Sequence, residues 1–198
     1  VFRDAVREFT FLVERIDQGD TIATTNTVVV FAIRRRHMHD AGSVTSGDEI
    51  VGKLRRNVSA SPSESLLMYQ RPMLENGEIE FESFWTRGEV EVHPAVGKSA
   101  FLIQPGGVQL HTLTNAQFET RDLMPDNATM IEGSASNVAL KDKDWNRIKL
   151  SLKGDRLTLT VNGADVATHI VTEPPNERFF GLFRYTDKTQ CRVRNIVY

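Results

Sequence analysis

The sequence predicts an all-β protein, an antiparallel β-sandwich with a short N-terminal helical extension. From Leu66 to the end of the 198-residue chain, apolar and polar side chains alternate in short runs, as in strands with one buried and one exposed face. Gly, Pro and Asn separate these runs, and no helical pattern lies between them. Antiparallel strands need only short turns, whereas parallel strands need long crossovers. We place the helical extension at residues 1–42 and the sandwich domain at residues 43–198.

The extension is predicted to be helical from its hydrophobic spacing. Apolar residues recur at intervals of three and four over residues 1–17, and Gly19 follows as a helix end. Residues 26–33 are ambiguous, because their β-branched run favours a strand while the pattern continues as a helix towards Gly42. We prefer the helix there.

The bulk properties argue against several partners. The chain is 40% hydrophobic and 25% charged, which is typical of a globular protein with a packed core. Its net charge of −2 gives no basic excess for nucleic acid or for an anionic membrane, and no apolar run is long enough to span a bilayer. The single Cys191 excludes an intrachain disulfide and a thiolate metal cluster. We therefore expect neither a nucleic-acid nor a membrane partner, and the compartment stays open.

Residues 41–65 are polar and predict a connection with at most one short strand or helix near residues 49–54. The chain starts without Met, so we expect it to be part of a longer protein. The candidate strands after this connection lie at residues 66–69, 78–86, 89–93, 100–103, 108–113, 145–152, 157–161, 166–170, 178–185 and 191–198.

The clearest hairpins lie in the C-terminal third. Residues 145–152 alternate strictly, turn at Gly154-Asp155, and resume at residues 157–161. Asn162-Gly163 then predicts a two-residue turn with both residues at positive φ, which returns the chain through a further strand.

Several of these segments also resemble a known superfamily. They are Trp145-Asn146, Val161-Asn-Gly163, Phe180-Gly-Leu-Phe183 and Val193-Arg-Asn-Ile196, and they resemble the concanavalin A-like lectin and glucanase superfamily. Three further segments are similar to an uncharacterised bacterial domain-of-unknown-function family within it: Tyr69-Gln-Arg-Pro72, His93-Pro94 and Arg194-Asn-Ile-Val-Tyr198. The resemblance implies a jelly roll of two curved sheets, whose concave face binds sugars in many relatives.

An acidic strand carries the candidate chemistry. Glu78-Ile-Glu-Phe-Glu82 puts three carboxylates on one face of a strand. It resembles the Glu-Ile-Asp-Ile-Glu strand of family-sixteen glycoside hydrolases, which implies Glu78 as nucleophile and Glu82 as acid/base, with Glu80 in place of the Asp. Positions four apart on a strand are roughly 13 Å apart, so both side chains must lean together to reach the roughly 5 Å carboxyl separation of a retaining enzyme.

The next candidate strand argues against catalysis. If Arg87-Gly88 is a two-residue turn, Glu82 lies opposite His93 and the two form a cross-strand ion pair. An ionised Glu82 is a poor general acid at neutral pH. This register divides the side chains into a buried set of Ile79, Phe81, Trp85, Val90 and Val92, and an exposed set of Glu80, Glu82, Phe84, Glu91 and His93.

Three functions remain open for that exposed set. The first is a solvated strand face without a ligand. The second is a binding site for a carbohydrate or another polyol, and the third is the active site of a glycoside hydrolase that uses Glu78 and Glu82. We take as our hypothesis a non-catalytic carbohydrate-binding or interaction module within a larger bacterial protein, whose partners are a sugar and other domains of the same polypeptide. The alternatives are the hydrolase and a structural spacer domain.

No cofactor or metal is expected. His37 and His39 lack a third zinc ligand. Asp142 with Asp144, or Asp122 with Asp126, offer oxygens for calcium, but such pairs are usually turns. Both tryptophans, Trp85 and Trp145, are expected to be buried.

Overall fold

The described part of the chain folds mainly into β-strands. The computed structural model describes residues 31–33, 49–52, 64–113, 127–185 and 188–198. Their strands are β1 (Phe31–Ile33), β2 (Glu49–Gly52), β3 (Glu64–Pro72), β4 (Glu78–Trp85), β5 (His93–Val96), β6 (Ser99–Gln104), β7 (Gly107–Thr112), β8 (Ala128–Met130), β9 (Asp144–Lys153), β10 (Arg156–Val161), β11 (Ala164–Ile170), β12 (Phe179–Tyr185) and β13 (Cys191–Val197). One 3₁₀ helix, Pro175–Glu177, precedes β12. None of the helical structure in these ranges is long and apolar enough to cross a membrane.

The strands form two antiparallel sheets. A seven-stranded sheet has the order β1-β2-β13-β4-β9-β10-β11, and a six-stranded sheet has the order β3-β12-β5-β6-β7-β8 within the described residues. The two sheets pack face to face, because a sheet with one apolar face is stable only when that face is covered. The domain is therefore a jelly-roll β-sandwich, as the sequence predicted.

The core lies between the sheets and follows from the alternation. On β4, Ile79 and Phe81 are fully buried, and on β9 Ile148 and Leu150 are equally buried. The ring of Phe81 meets that of Phe180 from the opposite sheet with centroids 5.7 Å apart. Each such side chain contributes roughly 1.5–3 kcal/mol by leaving water, so the odd residues of β4 anchor it.

The hairpins of the C-terminal third are confirmed. Lys153 pairs with Arg156 across the Gly154-Asp155 turn. Asn162 and Gly163 both have positive φ, 50° and 88°, as a two-residue turn with the right twist requires.

The helix prediction for residues 26–33 is wrong where it can be examined, because Phe31–Ile33 is strand β1. It pairs antiparallel with β2. Aromatic and β-branched residues such as Phe31 and Ile33 favour this extended backbone. The short element near residues 49–54 is confirmed as β2. The predicted helix at residues 1–17 lies outside the described residues, and the domain boundary after residue 42 stays a prediction.

The predicted hairpin between β4 and the next strand is also wrong. Thr86 bridges Val90 rather than Glu89, and the chain then crosses to the other sheet, where β5 begins at His93. β5 pairs with β12 and β6, while β4 pairs with β13 and β9. Glu82 therefore lies opposite Arg147 and Arg194.

Candidate functional site

The predicted binding set is divided between the two outer faces of the sandwich. Glu80, Glu82 and Phe84 share the outer face of the seven-stranded sheet, as the alternation predicted, and are partly exposed. Glu91 and His93 lie with the six-stranded sheet and are buried, with exposed fractions of 9% and 3%. The prediction that all five share one exposed face is wrong, because the chain changes sheets between them.

The carboxylates of β4 have basic partners on β9. Arg147 Nη2 lies 2.6 Å from Glu80 Oε1, and Lys149 Nζ lies 3.3 Å from Glu78 Oε1. Both ion pairs are diagonal, since Arg147 is in register with Glu82 and Lys149 with Glu80. Long side chains reach such diagonal neighbours readily.

Glu82 is held by the C-terminal strand instead. Arg194 Nε lies 2.6 Å from Glu82 Oε2, and Asn195 Nδ2 donates a hydrogen bond of 2.9 Å to the same oxygen. A register shift in β13 follows Arg194, and Asn195 has a φ of 53°. This bulge lets two consecutive residues of β13 contact one carboxylate. The predicted Glu82–His93 ion pair is wrong.

The contacts of Glu78 favour its ionised form. The hydroxyl of Ser151 donates a 2.8 Å hydrogen bond to Glu78, and this bond, together with Lys149, lowers the pKa of Glu78. The hydrogen bond to Glu80 raises the pKa of Arg147. A lowered pKa suits a nucleophile, the role that the resemblance implies for Glu78, and opposes a role as general acid.

Beside the charged residues lies a cluster of aromatic rings and guanidinium groups. The rings of Phe84 and Trp145 meet edge to face with centroids 5.5 Å apart. Arg194 lies 3.9 Å from the Trp145 ring centroid, and Arg192 lies 4.6 Å from that of Phe84. Burial was predicted for both tryptophans; Trp85 is buried, but Trp145 is half-exposed. Its place on β9 has the opposite parity to inward-facing Ile148, which puts it on the outer face.

A polar groove of about 580 Å³ runs along this face, over β9, β10 and the turn into β11. The side chain of Thr160 donates a 2.7 Å hydrogen bond to Asp165 across the turn. These two residues pair directly beyond Val161 and Ala164, which flank the turn, and the register shift of the hairpin begins only after them, at Leu159. The lining consists of Glu80, Lys141, Arg147, Lys149, Thr160, Asn162, Gly163 and Asp165.

The side-chain amide of Asn162 fixes part of the groove lining through hydrogen bonds. Its Oδ1 accepts a 3.0 Å hydrogen bond from the backbone N–H of Arg147, and its Nδ2 donates a 2.8 Å bond to the carbonyl of Ala139. Thr160 and Asp165 were not predicted as site residues from the sequence. The signal for them was the Asn162-Gly163 turn, because a tight turn places the residues on either side of it next to each other.

On the six-stranded sheet, His93 is a neutral buried residue. The backbone N–H of Ile103 donates a 3.2 Å hydrogen bond to His93 Nδ1, and Glu91 Oε2 lies 4.0 Å from His93 Nε2. Burial lowers the pKa of His93 to about 4, although Glu91 acts in the opposite direction. His93 is therefore uncharged at neutral pH.

The candidate metal ligands do not converge where they can be examined. In the part of the chain that the structure describes, no three His, Cys, Asp or Glu side chains are grouped to hold a metal ion. Asp142 and Asp144 are exposed, and Asp144 accepts a hydrogen bond from the N–H of Trp145, as in an ordinary turn. Asp122, Asp126, His37 and His39 lie outside the described residues.

A known family model covers most of the chain. The model of a family described as a domain of unknown function, DUF1583_N, matches residues 58–198, which is more than half of the chain. No curated protein sequence matches the chain.

Solved structures show a distant likeness. A galectin of Caenorhabditis elegans, LEC-6, has 9% identity and a TM-score of 0.43, covering 79% of this chain and 100% of its own. The carbohydrate-binding module CBM66 of Bacillus subtilis has 14% identity and a TM-score of 0.47, covering 78% and 88%. A Parabacteroides distasonis protein named as a candidate glycosyl hydrolase has 15% identity and a TM-score of 0.44, covering 78% and 87%. Likeness at this level does not extend to individual residues of either outer face.

Proposed function

The chain belongs to the DUF1583_N family, and we propose that this domain is a non-catalytic module of a larger polypeptide that binds a carbohydrate or another polyol in the groove of its seven-stranded sheet. The observation that carries the proposal is the groove itself, whose volume of about 580 Å³ falls within the range of small-molecule sites. Seven of its eight lining residues carry polar or charged side chains, and most of the lining belongs to strands or to the turn between β10 and β11.

The lining suits hydroxyl groups. Glu80 and Asp165 offer carboxylate oxygens as acceptors, while Arg147, Lys149 and Lys141 offer donors. A sugar hydroxyl both donates and accepts, so neighbouring hydroxyls can contact adjacent acceptors and donors of this kind. Arg147 is already paired with Glu80, and Lys149 with Glu78, which favours a neutral ligand over an ion.

The contacts of Glu82 support a non-catalytic role. Hydrolysis with retention needs one carboxyl group that is protonated before the reaction and another about 5 Å away. Glu82, the implied acid/base, instead accepts hydrogen bonds from Arg194 and Asn195 of the protein itself. A carboxylate held in this way supports binding rather than hydrolysis.

The binding test uses a matched pair of threonines on β10. Thr160 lines the groove, while Thr158 lies two residues earlier on the same outer face, equally half-exposed and outside the lining. We expect D-glucose, D-galactose or cellobiose to shift the amide signals of Thr160 and Gly163 saturably in NMR titrations, with millimolar affinity. Thr160→Val should weaken binding about five-fold, since a hydrogen bond contributes about 1 kcal/mol.

Thr158→Val is the control and should leave the affinity unchanged. Equal weakening by both variants would contradict a site in the groove. If no sugar shifts any groove signal, the domain is a structural spacer.

A separate assay addresses catalysis. With chromogenic glycosides, wild-type protein and Glu78→Gln should release aglycone at the same background rate. A rate above background that Glu78→Gln abolishes would establish the hydrolase instead.

A further inference from the structure

A second pocket lies on the opposite side of the sandwich, on the outer face of the six-stranded sheet. Its volume is about 240 Å³. Leu102 and Ala128 contribute apolar surface, and Gln104 and Gln109 contribute side-chain amides. Leu102 belongs to an apolar cluster with Ala95, Ala100 and Phe183, which is separate from the main core. Convergent polar groups beside apolar surface in a concave site are usual where a small ligand binds.

His93 presents a fixed hydrogen-bond donor to this pocket. Because Nδ1 accepts the hydrogen bond from the N–H of Ile103, the ring proton of the neutral imidazole must lie on Nε2. The ring is 3% exposed, and its strand pairs with β12 and β6 on either side. The imidazole is therefore held in one tautomer and one orientation.

Glu91 presents a fixed acceptor beside it. Its Oε1 accepts a 2.8 Å hydrogen bond from the N–H of Gly88, and its Oε2 accepts a 3.2 Å bond from Gln104 Nε2. Each carboxylate oxygen can accept a second bond. Glu91 Oε2 and His93 Nε2 are 4.0 Å apart, which is too far for a direct hydrogen bond.

We propose that this pocket is a ligand site distinct from the groove, and that it takes one ring of a neutral, hydroxyl-bearing small molecule. One ligand hydroxyl bridges the pair, accepting from His93 Nε2–H and donating to Glu91 Oε2. An oxygen about 2.8 Å from both atoms satisfies the 4.0 Å separation. Gln104 and Gln109 contact neighbouring hydroxyls, and the apolar floor packs against ring carbons.

Charge and size define this ligand class. The lining residues include one acidic residue, Glu91, and one basic residue, Lys188, so their formal charges cancel, which favours a neutral ligand. The imidazole adds no charge at neutral pH. The volume of about 240 Å³ is below the roughly 300–1,000 Å³ of sites for drug-sized ligands, so a single ring is the largest fitting unit.

The test is a titration of the intact 198-residue chain with myo-inositol and with D-glucose, observed at the His93 ring nitrogens and the side-chain amides of Gln104 and Gln109. We expect saturable shifts of these signals. His93→Asn keeps an acceptor near Ile103 N–H and removes the Nε2 donor, so it should weaken binding at least about five-fold. Gln109→Leu should weaken it similarly and serves if His93→Asn does not fold.

The groove variant Thr160→Val separates this site from the proposed polyol groove. It should leave the His93 titration unchanged, just as Gln109→Leu should leave the groove titration unchanged. Absence of saturable shifts at His93 with both probes would overturn the inference, as would equal weakening by Thr160→Val. Tighter binding of inorganic phosphate or of choline at the same signals would overturn the neutral ligand class.

Discussion

On the outer face of the seven-stranded sheet, Glu80 and Glu82 are partly exposed and each lies 2.6 Å from an arginine. On the outer face of the six-stranded sheet, Glu91 and His93 are buried and remain 4.0 Å apart. Charges near water are satisfied by opposite charges at little cost. A buried imidazole instead gives up its charge. One face therefore carries exposed ion pairs, whereas the other holds an uncharged imidazole beside a buried carboxylate.

The largest expected difference is between the inner and outer sides of one strand. Phe81 is fully buried in the core, whereas Phe84 lies half-exposed against Trp145. Phe81→Ala should lower the free energy of unfolding by about 3–5 kcal/mol because it leaves a cavity. Phe84→Ala should cost less than about 1.5 kcal/mol, the range of an aromatic pair. Urea unfolding measures both, and equal losses would contradict the assignment of the two faces.

The next effect concerns pH. The pKa of His93 is lowered to about 4 in the folded protein from an ordinary 6.5. Between these values the unfolded chain binds a proton that the folded protein does not, so stability falls as pH falls from 6.5 to 4. The loss attributable to His93 is roughly 3 kcal/mol.

His93→Asn should remove that part of the pH dependence. Burial also lowers the pKa of His169, so the wild-type curve contains a contribution of the same sign from that residue. The difference between the two pH curves isolates His93. If the curves were parallel from pH 4 to 7, His93 would not be buried and neutral.

The smallest effect is expected on the charged face. Glu82→Gln weakens an ion pair whose side chains are about one-third exposed, so it should cost less than about 1 kcal/mol, and added salt should shrink the difference. Glu89→Gln, at an exposed position of the β4–β5 connection, is the control and should cost nothing measurable. A loss for Glu82→Gln as large as that for Phe81→Ala would show a buried charge there.

The sequence predicted which face of a strand each side chain occupies, but it did not predict which residues lie opposite each other on neighbouring strands. Alternation identified the inward Ile79 and Phe81 and the outward Glu80 and Glu82, because the two-residue period is local. It could not show that Glu82 lies opposite Arg194, since that pairing joins residues more than a hundred positions apart. Strand pairing at that separation depends on the whole fold.

Two errors at the candidate sites have local causes. Glu91 and His93 were placed by continuing the alternation of β4 through the Arg87-Gly88 turn, but a change of sheet breaks that continuity. Asp165 was missed because alternation assigns residues to faces and does not show which polar side chains meet there, although the Asn162-Gly163 turn already places Asp165 opposite Thr160. The Asn162-Gly163 turn, in contrast, was predicted correctly, because the positive φ angles that it requires fall on two adjacent residues that adopt them readily.

The separation of Glu82 from His93 onto different sheets is tested most directly by NMR titration of the His93 ring in wild-type protein, Glu82→Gln and Glu91→Gln. We predict that the pKa of His93 is about 4 in the wild type, is unchanged in Glu82→Gln and is lower in Glu91→Gln, because Glu91 is the carboxylate that raises it. A wild-type pKa of His93 at or above its ordinary value, lowered by Glu82→Gln, would contradict it.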